Sequence, residues 1–587
     1  MEKNWLLKRS TINIKELSRS CGITESVAAV LVNRGIKEKQ EINKFLNASL
    51  EDLYDPFLMK HMDKAVEIIL KAIKNGDSIA VYGDYDADGV TSTTILYKAL
   101  RNSGANVMYH IPDRESEGYG MSSERIKILK EQGVQLIVSC DNGISALEQV
   151  DFAKELGLRV IITDHHELPF NINAKGERQY VIPRADAVVN PKQLDCKYPF
   201  KQLCGAGIAF KLVQALFEKL EYPKAAAYDY LEFAGIGTVC DIVDLLDENR
   251  ILVKNALKRI NTTENLGLKA LKNLIGIEDK AISTYNIGFQ IGPCINATGR
   301  LDKAALSVEL LLAEDEEMAK ELAKKLVELN KERQDLTTSN VEQVIDKIEE
   351  EKAIEQKVLV IYKEDLHESI AGIVAGKVKE RYNLPTIMLT KGKDMPKGSG
   401  RSIEEYNMFE ELLKCKELLS KFGGHPMAAG LSIKEENIKS LRDKLNENCT
   451  LTEEDFKPKI RIEKRIPLRT VDFDFIASME TLEPFGKGNP SPLFAEKDIR
   501  VRNVSYLGKD GSTVKFLLDK GDGVNTIEAL CFGRSEDFKA LLNNNLGKNL
   551  GDLRLDLIFT PQINSYMGKQ SLQLRVADFR ISNLNIV

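Results

Sequence analysis

Between about residues 60 and 305, short apolar runs alternate with longer amphipathic ones. SIAVYG, QLIVSC and RVIITD are rich in Ile and Val and lack period-two alternation, the pattern of strands covered on both faces. TSTTILYKALRNSG and ALEQVDFAKELG lie between such runs and predict helices. Strand and helix in turn predict a parallel sheet with helices on both faces. Ahead of this block, residues 1 to about 48 carry helical patterning (VAAVLVNRGI, EINKFL) broken at Gly22 and Gly35. Behind it, residues 314 to 356 are charged and free of Pro and Gly. Met318, Leu322, Leu326 and Leu329 recur there every three or four positions, which predicts one long helix joining two lobes. A second α/β pattern follows (KVLVIY, IAGIVAGKVKERY, PTIMLT, KGSGRS) and ends near residue 455. From 458 to 587 the runs turn short and alternating. Lys509-Asp510-Gly511 and Gly521-Asp522-Gly523 punctuate them as hairpin signals, so a small β-barrel is expected.

Composition narrows the class. A chain of 587 residues is too long for one core and suggests about three or four domains. With 43% hydrophobic and 29% charged residues it reads as soluble and globular. No apolar run reaches the length of a membrane span, and MEKNWLLKRS lacks the apolar core of a secretory signal, so a cytoplasmic location is expected. The nine cysteines are scattered without a C-x-x-C pair, which argues against a zinc ribbon or a disulfide framework. A net charge of -6 argues against nonspecific coating of DNA, although a basic groove can sit on an acidic protein. Only six histidines are present: His165 and His166 are adjacent, and His367 and His425 lie in Gly-rich stretches.

The candidate chemistry lies where apolar runs end. SIAVYG runs into Asp84, Asp86 and Asp88, QLIVSC into Asp141, RVIITD into Asp164-His165-His166, and TVC into Asp241. Read as strand ends of one parallel sheet, they share the edge where such sheets bind ligands. A single Asp after a strand is ordinarily a turn or N-cap residue. Four acidic ends in one α/β unit are a different matter, because like charges so close repel and raise each other's pKa. Divalent cations remove that conflict. Carboxylates with one or two imidazoles suit Mn²⁺ or Mg²⁺, and there are acids enough for two ions at roughly 3.5–4 Å, the arrangement that supports in-line attack at phosphorus. GAGIAFK (Gly205–Lys211) and AGIGT (Gly235, Gly237) lack the full P-loop pattern and are expected to serve tight helix–sheet packing.

DYDADG, SCDNGIS, TDHH and GTVCDIVDL resemble the successive motifs of the DHH phosphoesterase superfamily. INATGR, LHESIAGIVAGKVKERY, SGRS, FGGHPMAAG and EPFGKGNPSPLF resemble, in order, segments of its RecJ family of single-strand-specific 5′ to 3′ exonucleases. The resemblance covers essentially the whole chain. It implies an N-terminal helical region (1–48), a parallel-sheet DHH domain (49–312), a connecting long helix (313–356), an α/β DHHA1 domain (357–457) and a C-terminal OB-fold β-barrel (458–587). It implies Asp86, Asp88, Asp141, His165 and Asp241 as metal ligands, with Asp141 bridging two Mn²⁺ or Mg²⁺ ions. Asp84 matches the motif either as a ligand or as a support for one. His166 would contact the scissile phosphate or the attacking water, and Asp164 would orient the histidines. Some relatives carry a His ligand four residues before the first motif aspartate; here Tyr82 stands there, so that ligand is missing.

Arg300 is read in a Gly-bearing turn, and Arg401 follows Gly398-Ser399-Gly400, where the bland reading is a surface turn. The resemblance implies that Asn296, Arg300, Ser399, Arg401, His425 and His367 face the DNA. A basic cluster (Lys457, Lys459, Arg461, Lys464, Arg465, Arg469) precedes the barrel. Tyr506, Phe516, Phe532, Phe559 and Tyr566 lie among its strands, some to stack bases and half or more to fill the core. The implied activity is metal-dependent hydrolysis of single-stranded DNA to mononucleotides in repair and recombination by a monomer. A single-strand-binding protein and a RecQ-type helicase would be collaborators, and a membrane would not. Two other readings stand beside it: a nanoRNase-like or cyclic-dinucleotide phosphodiesterase, and a non-enzymatic DNA or replication scaffold.

Overall fold

The computed structural model describes residues 3–114, 116–118, 120–173, 175–543, 553–566 and 568–582. They form two compact units. One comprises Leu53–Val243 and Asp247–Pro458; the other comprises Lys3–Asp52, Asp244–Leu246 and the described residues from Lys459 onward.

The first unit opens with a five-stranded parallel sheet in the order Asn106–His110, Ser78–Tyr82, Val134–Cys140, Arg159–Thr163, Ala187–Val189. The three predicted strands are its three central members, buried on both faces, which is why they show no alternation. The chain leaves Ser78–Tyr82 for one neighbour and returns on the other side to Val134–Cys140. The crevice between those two strands is therefore the switch point of the sheet. Register does the rest. Tyr82 pairs with Ser139 and Cys140 with Thr163, so continuing each strand by one or two residues brings Asp84, Asp141 and Asp164 side by side.

The long helix runs from Glu316 to Glu350, capped by Asp315, whose side chain accepts from Met318 N–H. Its buried face includes Ala319, Ala323, Leu326 and Leu329; Met318, read from sequence as part of the apolar stripe, is 45% exposed. Alanine rather than the longer Met faces inward where helices pack closely. The far end contributes Val344 and Ile348 to the core of a second lobe. That lobe holds a mixed sheet in the order Leu419–His425, Ala428–Ile433, Lys397–Arg401, Thr386–Thr390, Leu359–Tyr362. KGSGR is thus a central strand, not a surface turn. Its glycines are required because neighbours press on it: a Cβ at Gly398 would strike Leu389.

In the second unit, five strands close a barrel: Phe494–Leu507, Thr513–Asp519, Thr526–Cys531, Lys569–Ile581 and Arg554–Tyr566, the last pairing back to the first. Both expected hairpins are present. The N-terminal helices Glu25–Asn33 and Lys39–Asn47 add Val27, Leu31, Ile42 and Phe45 to the core that holds Phe494, Phe516 and Phe559. A strand not anticipated from sequence, Asn4–Leu7, pairs in parallel with Lys459–Ile462.

Candidate metal centre and strand-binding residues

The loop after Tyr82 turns directly into the helix Ala87–Asn102. Asp86 caps that helix, its Oδ1 accepting from Asp88 N–H (2.9 Å) and Gly89 N–H (3.0 Å). Capping does not remove it from the acidic group: Asp84, Asp86 and Asp141 offer ligand atoms within 4.8 Å of one another. Asp88 sits in the first turn, buried, and accepts backbone N–H bonds from Gly205 (2.6 Å) and Ala206 (2.8 Å). Those groups are the open N-terminus of the helix Gly205–Lys219. GAGIAFK and AGIGT thus do more than pack. A Cβ at Gly205 would lie on Asp141, and one at Gly237 would lie 2.6 Å from Asp88 Oδ1. Sequence reading missed this because a helix end holding an internal carboxylate has no phosphate-loop signature.

Asp141 has a φ of 61°, a left-handed conformation that costs a non-glycine residue roughly 1 kcal/mol or more. Asn142 ties the turn in place, its amide donating to Tyr82 O (3.1 Å) and Cys140 O (3.0 Å). Asp164 uses one oxygen on His165 N–H, His166 N–H and His166 Nδ1 (2.7 Å), and the other on Ile144 N–H (2.9 Å). It thereby fixes the His166 ring and the backbone of both histidines. His165 Nε2 lies 3.0 Å from Asp141 Oδ1 and 3.8 Å from Asp88 Oδ2, and its Nδ1 lies 3.7 Å from Asp241 Oδ2. Asp241 corrects a sequence reading: TVC is the end of the helix Leu231–Cys240, and Asp241 is its C-cap. Apart from Glu232 that helix is almost wholly apolar, so its end resembles a buried strand. A carboxylate at a helix C-terminus meets the negative end of the dipole, which a nearby cation would offset.

Asp84 Oδ1, Asp141 Oδ1, His165 Nε2 and Asp241 Oδ2 are all buried and make no well-aligned hydrogen bond, His165 Nε2 and Asp141 Oδ1 included although they lie 3.0 Å apart. Buried polar atoms are rarely left so. Four in one cluster, three of them carboxylate oxygens and the other a neutral ring nitrogen, form a donor set suited to divalent cations. The electrostatics agree. Burial, then the charge of Asp86, pushes Asp84 well above the carboxylate range; burial, then Asp88 and Asp86, does the same to Asp141 and Asp241. Asp88 is pushed up to about 6 by burial and Asp86. Asp164 goes the other way: burial opposes its charge, but His166 holds it at about 2. Burial likewise opposes charge on His166, yet Asp164 raises it to about 9, so it is cationic at neutral pH. Burial and then His166 lower His165 to about 3, leaving a neutral ring. Tyr82 takes no part; it is buried in the sheet core, its hydroxyl on Gly120 O (3.4 Å).

Two cations were missed. Arg114, 5.1 Å from the Tyr85 ring centre, lowers Asp84, and Lys192, paired with Glu167 (2.8 Å), lowers Asp241. Both follow strands of the same sheet, so the strand-end argument applied to basic residues would have found them.

Arg300 is not in a turn. It ends the helix Gly292–Leu301 and donates to Ser369 O, joining the first lobe to the second. Asn296, on that helix, accepts from Ala87 N–H (2.8 Å) and so braces the acidic loop. Ser399 and Arg401 share one face of the strand Lys397–Arg401, against the helix Glu368–Tyr382, where a Cβ at Gly372 would strike Arg401. Burial lowers both guanidinium groups, Arg300 to about 10, yet among the described residues no carboxylate lies within ion-pair distance of either. His367 is the N-cap of that helix, bonded to Ser369. His425 ends the edge strand, and its charge is one of those that lower His165. In the barrel, Phe516 and Phe559 are core residues, while Tyr506 and Phe532 are exposed with Lys539 and Arg575 near their rings. The Tyr566 side chain lies outside the described residues. Arg461, Arg465 and Arg469 are exposed.

A parallel sheet with an Asp-rich, Asp-His-His edge, joined through a long helix to a second α/β lobe, defines a DHH-type hydrolase. The chain matches the DHH family, N-terminal domain, over residues 78–238, the DHHA1 domain over 355–450 and the RecJ OB domain over 462–578. It is 37% identical to the single-stranded-DNA-specific exonuclease RecJ of Bacillus subtilis over 97% of its own length and 70% of that protein. It is 31% identical to the Escherichia coli RecJ over 92% and 93% of the two chains. The crystal structure of RecJ in complex with Mn²⁺ from Thermus thermophilus superposes with a TM-score of 0.81 at 26% identity, covering 98% of this chain and 79% of that one; the Mg²⁺ complex gives 0.74. The chain belongs to the RecJ family of single-stranded-DNA-specific exonucleases, DHH-family metal-dependent hydrolases. These relatives do not favour the dinucleotide or scaffold readings.

Proposed function

We propose that the chain hydrolyses single-stranded DNA from its 5′ end to mononucleotides, acting as a cytoplasmic monomer beside a single-strand-binding protein and a helicase of the RecQ type. The observation that carries the chemistry is the set of buried atoms without a well-aligned hydrogen bond on Asp84, Asp141, His165 and Asp241. Asp84, Asp86, Asp88, Asp141, His165 and Asp241 would hold two Mn²⁺ or Mg²⁺ ions. Bound there, the ions would neutralise the carboxylates, make water a stronger nucleophile and stabilise charge developing at phosphorus.

The chain's own residues do the rest. His166, whose ring is bonded to Asp164 and whose positive charge Asp164 favours, would contact the scissile phosphate. Asp164 also holds the backbone of His165 beside the cluster. Arg300, Ser399 and Arg401 gather at one end of the helix Glu368–Tyr382, where guanidinium groups that among the described residues bond only the carbonyls of Ser369 and Gly400, with no carboxylate partner, suit phosphate. His425 and His367 border the same region, and Asn296 steadies the acidic loop. The test is a long single strand labelled at its 5′ end, given Mn²⁺, Mg²⁺ or chelator. Immediate metal-dependent release of labelled mononucleotide, lost in Asp141→Ala/His165→Ala, supports the reading. Release from a strand whose 5′ end is blocked would refute the polarity.

A further inference from the structure

The segment Ala281–Gly299 contains no Asp, Glu, Lys or Arg, in a chain that is 29% charged. Its middle carries two large aromatic rings turned to solvent, Tyr285 at 58% exposure and Phe289 at 69%. The rings stack on one another, centres 4.9 Å apart and planes 29° from parallel. They lie where the helix widens into a π turn, Ile287–Ile291, a feature found frequently at functional sites. Ile287 and Ile291 are fully buried, so the turn is anchored while its aromatic face stays outside.

The position of the pair gives it meaning. A Cβ at Gly288 would lie 3.7 Å from Val239, and one at Gly292 would strike Cys240. Val239 and Cys240 are the two residues before Asp241. The same chain runs on without a break into the helix that carries Asn296 and Arg300. Beside Asp241 the surface is continued by Ile242, 65% exposed and held at a φ of 57°, a rare conformation for a β-branched residue. The segment is therefore uncharged, presents its two rings beside the acidic cluster, and has the side chains of Asn286 and Gln290 bonded to each other (2.8 Å). It offers a phosphate no cation. The flat face of an unpaired base has the two rings to bind.

We propose that Tyr285 and Phe289 form a stacking platform for a base of the single strand as it passes the metal centre, a positioning role that rests on the exonuclease reading above. Stacking on aromatic side chains tolerates any base, because every base has a π face. A duplex keeps its bases inside and cannot use such a platform, so it would also help to select unpaired strands.

The test uses the full chain in chelator, with a fluorescent single strand and a series in which one base at a time is replaced by an abasic site. The wild type should bind the intact strand on the order of 10-fold tighter than the strand lacking the platform base. Tyr285→Ala/Phe289→Ala should weaken binding of the intact strand by a similar factor and no longer distinguish it from that abasic strand. Tyr285→Phe/Phe289→Trp should restore the distinction, which a merely structural role would not predict. Both rings are more than half exposed, so truncation opens no core cavity. A double variant that binds as tightly as wild type, with the same abasic profile, overturns the platform and leaves the patch to a protein partner. A wild type that binds no single strand at all overturns the exonuclease reading, and the platform with it.

Discussion

Two groups of buried charge lie in the same α/β unit and are built in opposite ways. Lys211 and Glu248 are both fully buried, 2.7 Å apart. Glu248 also accepts from Tyr54 N–H (2.9 Å) and the Tyr198 hydroxyl (2.5 Å), and Lys211 donates to Tyr54 O (2.7 Å). Burial lowers Lys211 and Glu248 opposes that shift. The acidic cluster has no such closure: four of its atoms make no well-aligned hydrogen bond, and its carboxylates raise one another. The first group is complete in the protein alone. The second is complete only with a cation. Whether buried charges are satisfied distinguishes support from a site more surely than how many there are.

Removing one charge from each group should move stability in opposite directions. Lys211→Met leaves a buried carboxylate unpaired and should cost about 3–5 kcal/mol in denaturant unfolding. Asp141→Asn in chelator should instead raise stability, on the order of 1 kcal/mol, because fewer like charges share the site. A loss from Asp141→Asn comparable to that from Lys211→Met would erase the contrast.

Cation should stabilise only where the cluster is intact. Mn²⁺ at 100 times its dissociation constant should add about 2.7 kcal/mol to the wild type. Lys211→Met should gain as much as wild type, while Asp141→Ala/His165→Ala should gain almost nothing. Calorimetry with and without Mn²⁺ reads both.

The acidic edge was legible in the sequence because buried parallel strands end abruptly and their next residues must emerge on one side of the sheet. Asp84, Asp141 and Asp164 follow from that rule and from register. Asp241 was found for the wrong reason: it comes from a helix whose sequence is almost wholly apolar. The backbone groups of Gly205 and Ala206 that hold Asp88 could not be found, since any residue with an N–H provides them. Arg300 was read in a turn, and a surface turn was the bland reading of Arg401; the structure places them on a helix and a strand. Glycine beside arginine suggested a loop, whereas here glycine admits a neighbouring helix or strand. The shared core of the N-terminal helices and the barrel joins segments more than 400 residues apart, and no local pattern reports such a pairing.

Arg401 occupies an intermediate position in the comparison: a half-buried charge with no acid partner, lowered by desolvation alone. If it awaits phosphate, Arg401→Ala should weaken single-strand binding about tenfold and reduce the slope of log affinity against log salt by roughly 1. Arg401→Lys should keep the slope and recover part of the affinity. An unchanged slope in Arg401→Ala would remove this residue from the strand path.

The barrel supplies the smallest and most direct contrast to the acidic cluster. Asp578 is a buried carboxylate with its partners in place: Trp5 Nε1 donates at 2.7 Å, Arg534 donates to its other oxygen, and Lys3 lies at 3.7 Å. Burial opposes its charge, but these groups hold it below the usual carboxylate range. A carboxylate depressed by folding contributes stability above its unfolded pKa of about 3.9, and that contribution is lost as pH falls through its folded value. Asp84, Asp141 and Asp241 are raised instead, so without cation their charged forms oppose folding at neutral pH. Asp578→Asn should therefore cost about 1–2 kcal/mol near pH 6, and the gap to wild type should close as pH falls below about 4. Asp141→Asn in chelator should show the reverse dependence, its advantage greatest at high pH where the cluster is most charged. Parallel unfolding curves for Asp578→Asn and wild type between those pH values would mean that Asp578 is not held by its charge. The rule that satisfied carboxylates support the fold, while unsatisfied ones await a ligand, would then rest on Lys211 and Glu248 alone.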